Sequence, residues 1–283
     1  MSRYLDIAPL RSLVAVADCG GFQRAATVLH LSQGAVSQHV RRLESTLGRT
    51  LVEREGRGSR FTADGEALLL HARRLLTVHD ETLDAFGMTT ARTLSIGSTE
   101  HAAAQLLPSL TSSLTGTFPQ HRIRFRIDRG TQLRTALQDG RIDVALLLGP
   151  AEDAEARTVG ELRLAWYSAP QWRPPATGEP VPLVAIDAPC ALRTRALETL
   201  AAHGLAAEVG SEAAHLAGVQ AAVRAGLGVG LMATQGQCPE GLTERDDLPR
   251  PRPIALSVQP RRGLRPDLLT GTATALHKIL LAQ

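Results

Sequence analysis

The stretch FQRAATVLHLSQGAVSQHVRRLESTLGRTLVER, residues 22–54, decides how this chain is read. Within it Val36, Val40, Leu43 and Leu47 recur at spacings of 4, 3 and 4, which is one apolar stripe of a helix over 33–47. Gln33, Ser37 and Arg41 recur at 4 and 4 on another face, with Gly34, Gln38 and Arg42 beside them. Ser32 is suited to cap the start of this helix and Gly48 its end. Just upstream, Phe22, Ala25, Ala26 and Leu29 form the apolar face of a shorter helix, and the two alanines let another helix approach closely. His30 and Leu31 make the turn between the two. Two helices joined this tightly, the second with one apolar and one polar stripe, suit the placing of a helix in the major groove of DNA.

The flanks extend the pattern. Leu10, Leu13, Val14 and Ala17 have helical spacing over 7–18, and Gly20-Gly21 stops that helix. TLVEREGRGSRF, residues 50–61, reads as two short strands around EGRG, a basic hairpin that would form a wing. Residues 41–60 hold six arginines against three glutamates, a local excess equal to the +3 of the whole chain. Thr62 is placed to cap a long helix from 63 to about 86. Its apolar side (Leu68, Leu69, Ala72, Leu75, Leu76, His79, Leu83 and Phe86) is wider than one partner helix requires, which suits intrachain packing together with helix–helix dimerisation.

From residue 92 strand-like and helix-like segments alternate. SIG (95–97), RIRFRID (122–128) and DVALLLG (143–149) read as strands separated by the helices STEHAAAQLLPSL and TQLRTALQDG. The alternation continues through LRLAWYSAP, VPLVAID, CALRTRALETLAAHG, AAEVG, AAHLAGVQAAVRAGLG, VGLMA and PIALSV to a last helix within LRPDLLTGTATALHKILLAQ. The expectation is α/β organisation with largely parallel sheets, broken into two lobes by Pro/Gly-rich loops at 170–182 and 249–253.

Composition fits this organisation. At 283 residues and 43% apolar, the chain is long enough for two or three domains with ordinary cores. Aromatics are 3%, so those cores must be mainly Leu, Val and Ala. A pI near 9.1 is basic without being extreme, and overall charge alone does not establish nucleic-acid binding. Lys278 is the only lysine; with the many alanines this suggests a GC-rich bacterial genome. Cys19, Cys190 and Cys238 show no CxxC spacing, so neither a disulfide framework nor a zinc site is expected, and no metal or cofactor. Cys190 and Cys238 are 48 apart with no resolving motif, which favours a structural role over a redox switch. MSRYLDIAPLRSLV lacks the features of a secretory signal, and no run approaches about 20 apolar residues. The expectation is a cytoplasmic protein without a membrane span.

At the groove-facing helix, Gln33, Ser37, Gln38 and His39 are placed near the N-terminus, where bases are read. A glutamine can pair with adenine through both amide atoms. Arg41 and Arg42 are better placed for the backbone, and Arg54, Arg57 and Arg60 of the wing for phosphates or the minor groove. Arg42 and Arg49 suit solvent or salt-bridge roles equally well, Arg42 near Glu44. Thr62 could combine capping with a phosphate contact. In the α/β part, Ser98-Thr99 and Thr131-Gln132 each open a helix directly after a strand. Helix N-termini offer unpaired N–H groups and a positive dipole end, which suits a small polar or anionic ligand. Each of these Ser and Thr residues could equally be a plain cap.

At this level of detail the chain resembles the LysR-type transcriptional regulators. The resemblance is carried by RAATVLHLSQGAVSQHVRRLESTLGRTLVEREGRGSRFTADGEALL (24–69), with its helix-turn-helix, Leu43-Glu44, Gly48, basic wing and Thr62-x-x-Gly65, and by AAVRAGLGVGLMA (221–233). It implies an α+β multidomain chain: a winged helix-turn-helix domain (1–61), a linker and dimerisation helix (62–91), and a two-lobed effector domain similar to periplasmic-binding proteins (92–283). In such a fold the chain crosses between lobes near 162–165 and 252–254, giving lobe one as 92–162 with 254–283 and lobe two as 163–253. The resemblance puts Gln33, Ser37, Gln38 and His39 at base-contacting positions and hydroxyl residues at Ser98 and Thr131 on the effector. Tyr167, Cys190 and the segment from Ser211 to His215 would close the site from lobe two. It further implies a homodimer or homotetramer on double-stranded DNA with an interrupted palindromic operator, in contact with RNA polymerase. Gly34 departs from the Pro or Ser usual after the helix's first Gln.

Other classes fit less well. An enzyme is not expected, since HExxH, GxSxG and GxxxxGK[ST] are all missing. A solute receptor leaves residues 22–62 without a purpose, and an architectural DNA protein has no need of the α/β part.

Overall fold

The computed structural model describes residues 4–55, 58–86, 88, 92–151, 153–176, 178–234 and 238–282. The chain divides into two compact units, the first comprising chiefly the residues before 91.

The first unit is built from α1 (Ile7–Cys19), α2 (Phe22–Leu29), α3 (Gln33–Leu47), β1 (Val52–Glu55), β2 (Gly58–Phe61) and α4 (Ala63–Ala85). Gly20 terminates α1 in the left-handed region, at φ 67°, where glycine carries no Cβ penalty. Ala25 and Ala26 are buried against Val16 and Val36, so the small side chains set how closely α2 packs. Val40 and Leu43 meet Leu10 and Leu13 of α1 and Leu68, Leu69, Ala72 and Leu76 of α4 in a second cluster. Gly65 lies in the first turn of α4 so close to the β1 approach that a Cβ there would fall 2.1 Å from the Leu51 carbonyl oxygen. Ion pairs from Arg11 to Asp80 and from Arg73 to Asp18 (2.5 Å) join α1 to α4. The wide apolar side expected of α4 is divided: Leu68, Leu69, Ala72 and Leu76 are buried, whereas Leu75 and Phe86 are exposed, as is Val78, which was not expected on that side.

The second unit begins with β3 (Arg92–Ser98), α5 (Glu100–Thr117), β4 (His121–Ile127), α6 (Gly130–Gln138), β5 (Val144–Leu148) and β6 (Arg157–Leu162). It continues through β7 (Leu164–Ser168), β8 (Val181–Ile186), α7 (Ala191–Ala202), β9 (Ala207–Ala213), α8 (Leu216–Arg224), β10 (Gly230–Ala233), β11 (Thr243–Glu244), β12 (Ile254–Pro260) and α9 (Pro266–Leu281). One sheet has the order β4-β3-β5-β12-β6, another β10-β7-β11, and β8 pairs with β9. The chain leaves the first sheet at Arg163, between β6 and β7, and returns to it with β12.

The expectation of largely parallel sheets is corrected here. β3 runs parallel to β4 and β5, and β8 to β9, but β12 opposes β5 and β6, and β7 opposes β10 and β11. Helical crossovers deliver parallel neighbours. β12 instead arrives by a loop and inserts between two strands already laid down. Two strands, β6 and β11, form in stretches without a separate strand signal, and α5 runs through Pro108 to Thr117 rather than ending near residue 110.

Candidate functional site

In the first unit the local chemistry of α3 fixes which face is offered outward. Ser32 Oγ accepts from the Ala35 N–H at 3.1 Å and caps the helix, and Gly48 ends it in the left-handed region at φ 68°. Val36, Val40 and Leu43 face the core, so Gln33, Gln38, Arg41 and Arg42 stand on the exposed side with Ser37 at its half-buried edge. Arg42 is 2.5 Å from Asp6, not near Glu44 as expected. Glu44 is committed to the backbone: its Oε1 accepts from the N–H groups of Leu51 (2.8 Å) and Val52 (3.3 Å), tying α3 to the start of the wing. An acid in the last turn of a helix reads as a solvated group in sequence, and only the returning chain supplies these donors.

His39 is turned toward α1. Its Nδ1 lies 2.7 Å from Oγ of buried Ser12, because position 39 falls beside the Val36/Val40 stripe. The hydroxyl of Thr62 accepts from the Gly65 N–H (3.0 Å) and donates to the Thr50 carbonyl (2.7 Å), so it caps α4 and braces the wing. In the wing Arg54 pairs in register with Ser59, and Arg60 with Glu53. The exposed Arg60 side chain is 3.6 Å from Glu53. Arg57 lies outside the described residues.

The second unit contains a cavity of about 340 Å³. Its wall collects the starts of four helices: Thr99 and Glu100 of α5, Gly130 and Thr131 of α6, Cys190 and Ala191 of α7, and His215 of α8. Much of the remaining wall is apolar, from Ile127, Leu147, Leu148, Ile186 and Leu192. Of the residues expected at this site, the structure brings together Thr99, Thr131, Cys190 and His215. The other four lie elsewhere. Ser98 is buried at the end of β3 and donates to the Thr99 carbonyl. Gln132 is exposed outside the wall. Ser211 sits in β9 opposite Val184. Tyr167 is fully buried in a strand with no open position, and its hydroxyl lies 2.5 Å from Thr234 Oγ1. Burial raises the Tyr167 pKa.

Charged groups lining the cavity that sequence reasoning missed are Glu100, Asp128, Arg129 and Arg134. Glu100 accepts from His215 Nδ1 at 2.6 Å and from the Leu216 N–H, capping α8 from a different helix. Arg129 pairs with Asp187, and that hydrogen bond holds the Asp187 carboxyl below its usual range and the guanidinium above its own. These pairings join segments 58 and 115 residues apart, so no local spacing could announce them. His101 was missed as well. It is buried, and desolvation pushes its pKa down to about 4 against a smaller opposing effect of Glu100. All three cysteines are free thiols. Among the described residues no cluster of His, Cys, Asp and Glu is placed to hold a metal, and no helix is long and apolar enough to cross a membrane.

Comparison with known proteins agrees with this division of the chain. Residues 7–66 match the description "Bacterial regulatory helix-turn-helix protein, lysR family", and residues 89–272 match "LysR substrate binding domain". The HTH-type transcriptional regulator PecT of Dickeya dadantii (strain 3937) is 34% identical over 251 residues, 87% of this chain and 78% of PecT. Full-length OxyR from Pseudomonas aeruginosa shares the fold with a TM-score of 0.71 at 20% identity, over 97% of this chain and 98% of that one. CbnR, solved in complex with its target DNA, shares it with a TM-score of 0.67 at 17% identity, over 97% of this chain and 99% of that one. The winged head, the effector-type α/β unit and these matches together place the chain in the LysR family of bacterial transcriptional regulators.

Proposed function

We propose that this regulator reads a specific DNA sequence through the exposed face of α3 and is controlled by a small molecule bound in the cavity of its α/β unit. The observation that carries the reading is the capped α3, which buries Val36, Val40 and Leu43 and leaves Gln33, Gln38 and Arg41 outward with Ser37 beside them. Gln33, Ser37 and Gln38 contact base edges. Arg41, Arg42 and the wing arginines Arg54, Arg57 and Arg60 contact phosphates or the minor groove. His39 and Thr62 act mainly by holding α3 and the wing in place, since Nδ1 of one and the hydroxyl of the other are already engaged.

The domain scheme that accompanies this reading has a DNA-binding domain over 1–61, a linker helix over 62–91 and an effector domain over 92–283, with lobes 92–162 plus 254–283 and 163–253. Exposed Leu75, Val78 and Phe86 on the linker helix suit a second copy of the same helix. A dimer formed there, and a tetramer made from two such dimers, would hold an interrupted palindrome in the cytoplasm and present it to RNA polymerase. Ligand shifts the balance between assembly shapes only by binding one of them more tightly. Footprinting of the full chain on duplexes selected from a random pool tests this. Two protected half-sites separated by whole helical turns are expected. Protection without a repeated sequence would contradict the reading.

A further inference from the structure

The charged side chains lining the cavity have partners, several of them outside the wall. Arg129 pairs with Asp187. Asp128 accepts from the Arg129 N–H at 2.9 Å and from the Arg126 guanidinium at 3.0 Å. Glu100 commits one oxygen to His215 Nδ1 and the other to the Leu216 N–H, and Arg134 donates to Gln259 Oε1 at 3.0 Å. The wall therefore sets two arginines, Arg129 and Arg134, against two carboxylates, Glu100 and Asp128.

The polar atoms left over are of a different kind. His101 is 5% exposed, and its Nδ1 has no hydrogen-bond partner among the described residues; neither has Oγ1 of the adjacent Thr99. Both residues line the cavity, but these two atoms are covered, so a ligand reaches them only as the side chains turn toward it. Burial keeps His101 uncharged, with a pKa of about 4, so its ring presents one donor and one acceptor. An anion entering this wall meets Glu100 and Asp128, while the arginines already have carboxylate or amide partners. It would surrender its hydration largely to helix N-terminal N–H groups, one set of which Glu100 already occupies. A neutral group that both donates and accepts matches His101 and Thr99 without disturbing any ion pair.

We infer that the ligand of this cavity is a small uncharged molecule, with an apolar body against Leu147, Leu148 and Ile186 and one amide-like group bound by His101 and Thr99. The inference rests on the effector reading above and narrows its polar or anionic ligand to a neutral one. The test titrates the full chain, by calorimetry at neutral pH, with pairs differing in charge alone: benzamide against benzoate, and hexanamide against hexanoate. The proteins compared are wild type, Thr99→Val and the cavity-filling Ala191→Phe. The Thr99 side chain makes no capping hydrogen bond to α5, so its replacement leaves the helix intact.

The amides should bind at least about tenfold more tightly than their carboxylates, and Thr99→Val should weaken them by about tenfold. Tighter carboxylate binding, or amide binding unchanged in Thr99→Val, overturns the inference and leaves the cavity as the ligand site. No binding by any of the four compounds overturns it too. Amide binding that persists in Ala191→Phe overturns both the inference and the effector-site reading, because the ligand then sits elsewhere.

Discussion

The helix proposed to read DNA and the candidate ligand cavity are built in opposite ways. On α3 the packing stripe and the proposed reading face are two sides of one helix, with Gln33 and Gln38 exposed and Ser37 at the half-buried edge. In the candidate cavity the polar groups come from the starts of four separate helices, and two of its charges, Glu100 and Arg129, have partners from distant parts of the chain. A surface meant for a polyanion can leave its cations and amides in water, where they cost nothing before binding. Polar groups buried around a cavity cost free energy unless they are paired, which favours partners within the protein.

The largest expected effect probes the buried side of this comparison. His101 has its pKa lowered from 6.5 to about 4, so the unfolded chain binds a proton more readily than the folded one. The stability that follows is fully present above pH 6.5, falls as the pH drops toward about 4, and changes no further below that. The loss should be about 3 kcal/mol for the α/β unit. Urea midpoints measured across this range should show the slope in wild type and not in His101→Phe. An identical slope in both proteins would mean that His101 is hydrated or paired, and the contrast with the open face of α3 would disappear.

A middle-sized effect probes how the head is held. Glu44→Ala removes the acceptor shared by the Leu51 and Val52 N–H groups and should destabilise the first unit by about 2 kcal/mol. The ratio of specific to non-specific DNA affinity should stay the same at temperatures where the unit remains folded. A change of base preference in this variant would place Glu44 in the reading machinery instead. The smallest effect concerns Tyr167, which its buried strand removes from the cavity. Tyr167→Phe should lose the contact with Thr234, at about 1 kcal/mol by thermal unfolding, and leave ligand affinity untouched. Weakened ligand binding would return this residue to the site.

The same contrast explains what could be read in advance. The helix-turn-helix, the Ser32 and Gly48 caps, the wing and the Thr62 cap follow from residues close together in sequence, and periodicity reveals them. The start of α5 at Thr99 and the place of Cys190 before α7 were legible for the same reason. What escaped was set by partners far away. The inward turn of His39 depends on Ser12, the use of Glu44 on the returning wing, and the antiparallel insertion of β12 on a strand more than a hundred residues earlier. Tyr167 was expected to help close the site from the second lobe, but every position of its strand is buried.

The central claim is that the exposed polar residues of α3 select the sequence while the arginines around them supply affinity. It is tested most directly by fluorescence anisotropy of the full chain on a selected duplex and on a scrambled one, with wild type and the double variant Ser37→Ala, Gln38→Ala. The account predicts that the double variant binds both duplexes with the affinity wild type shows for the scrambled one, with unchanged thermal unfolding. A double variant that still prefers the selected duplex as strongly as wild type would contradict it.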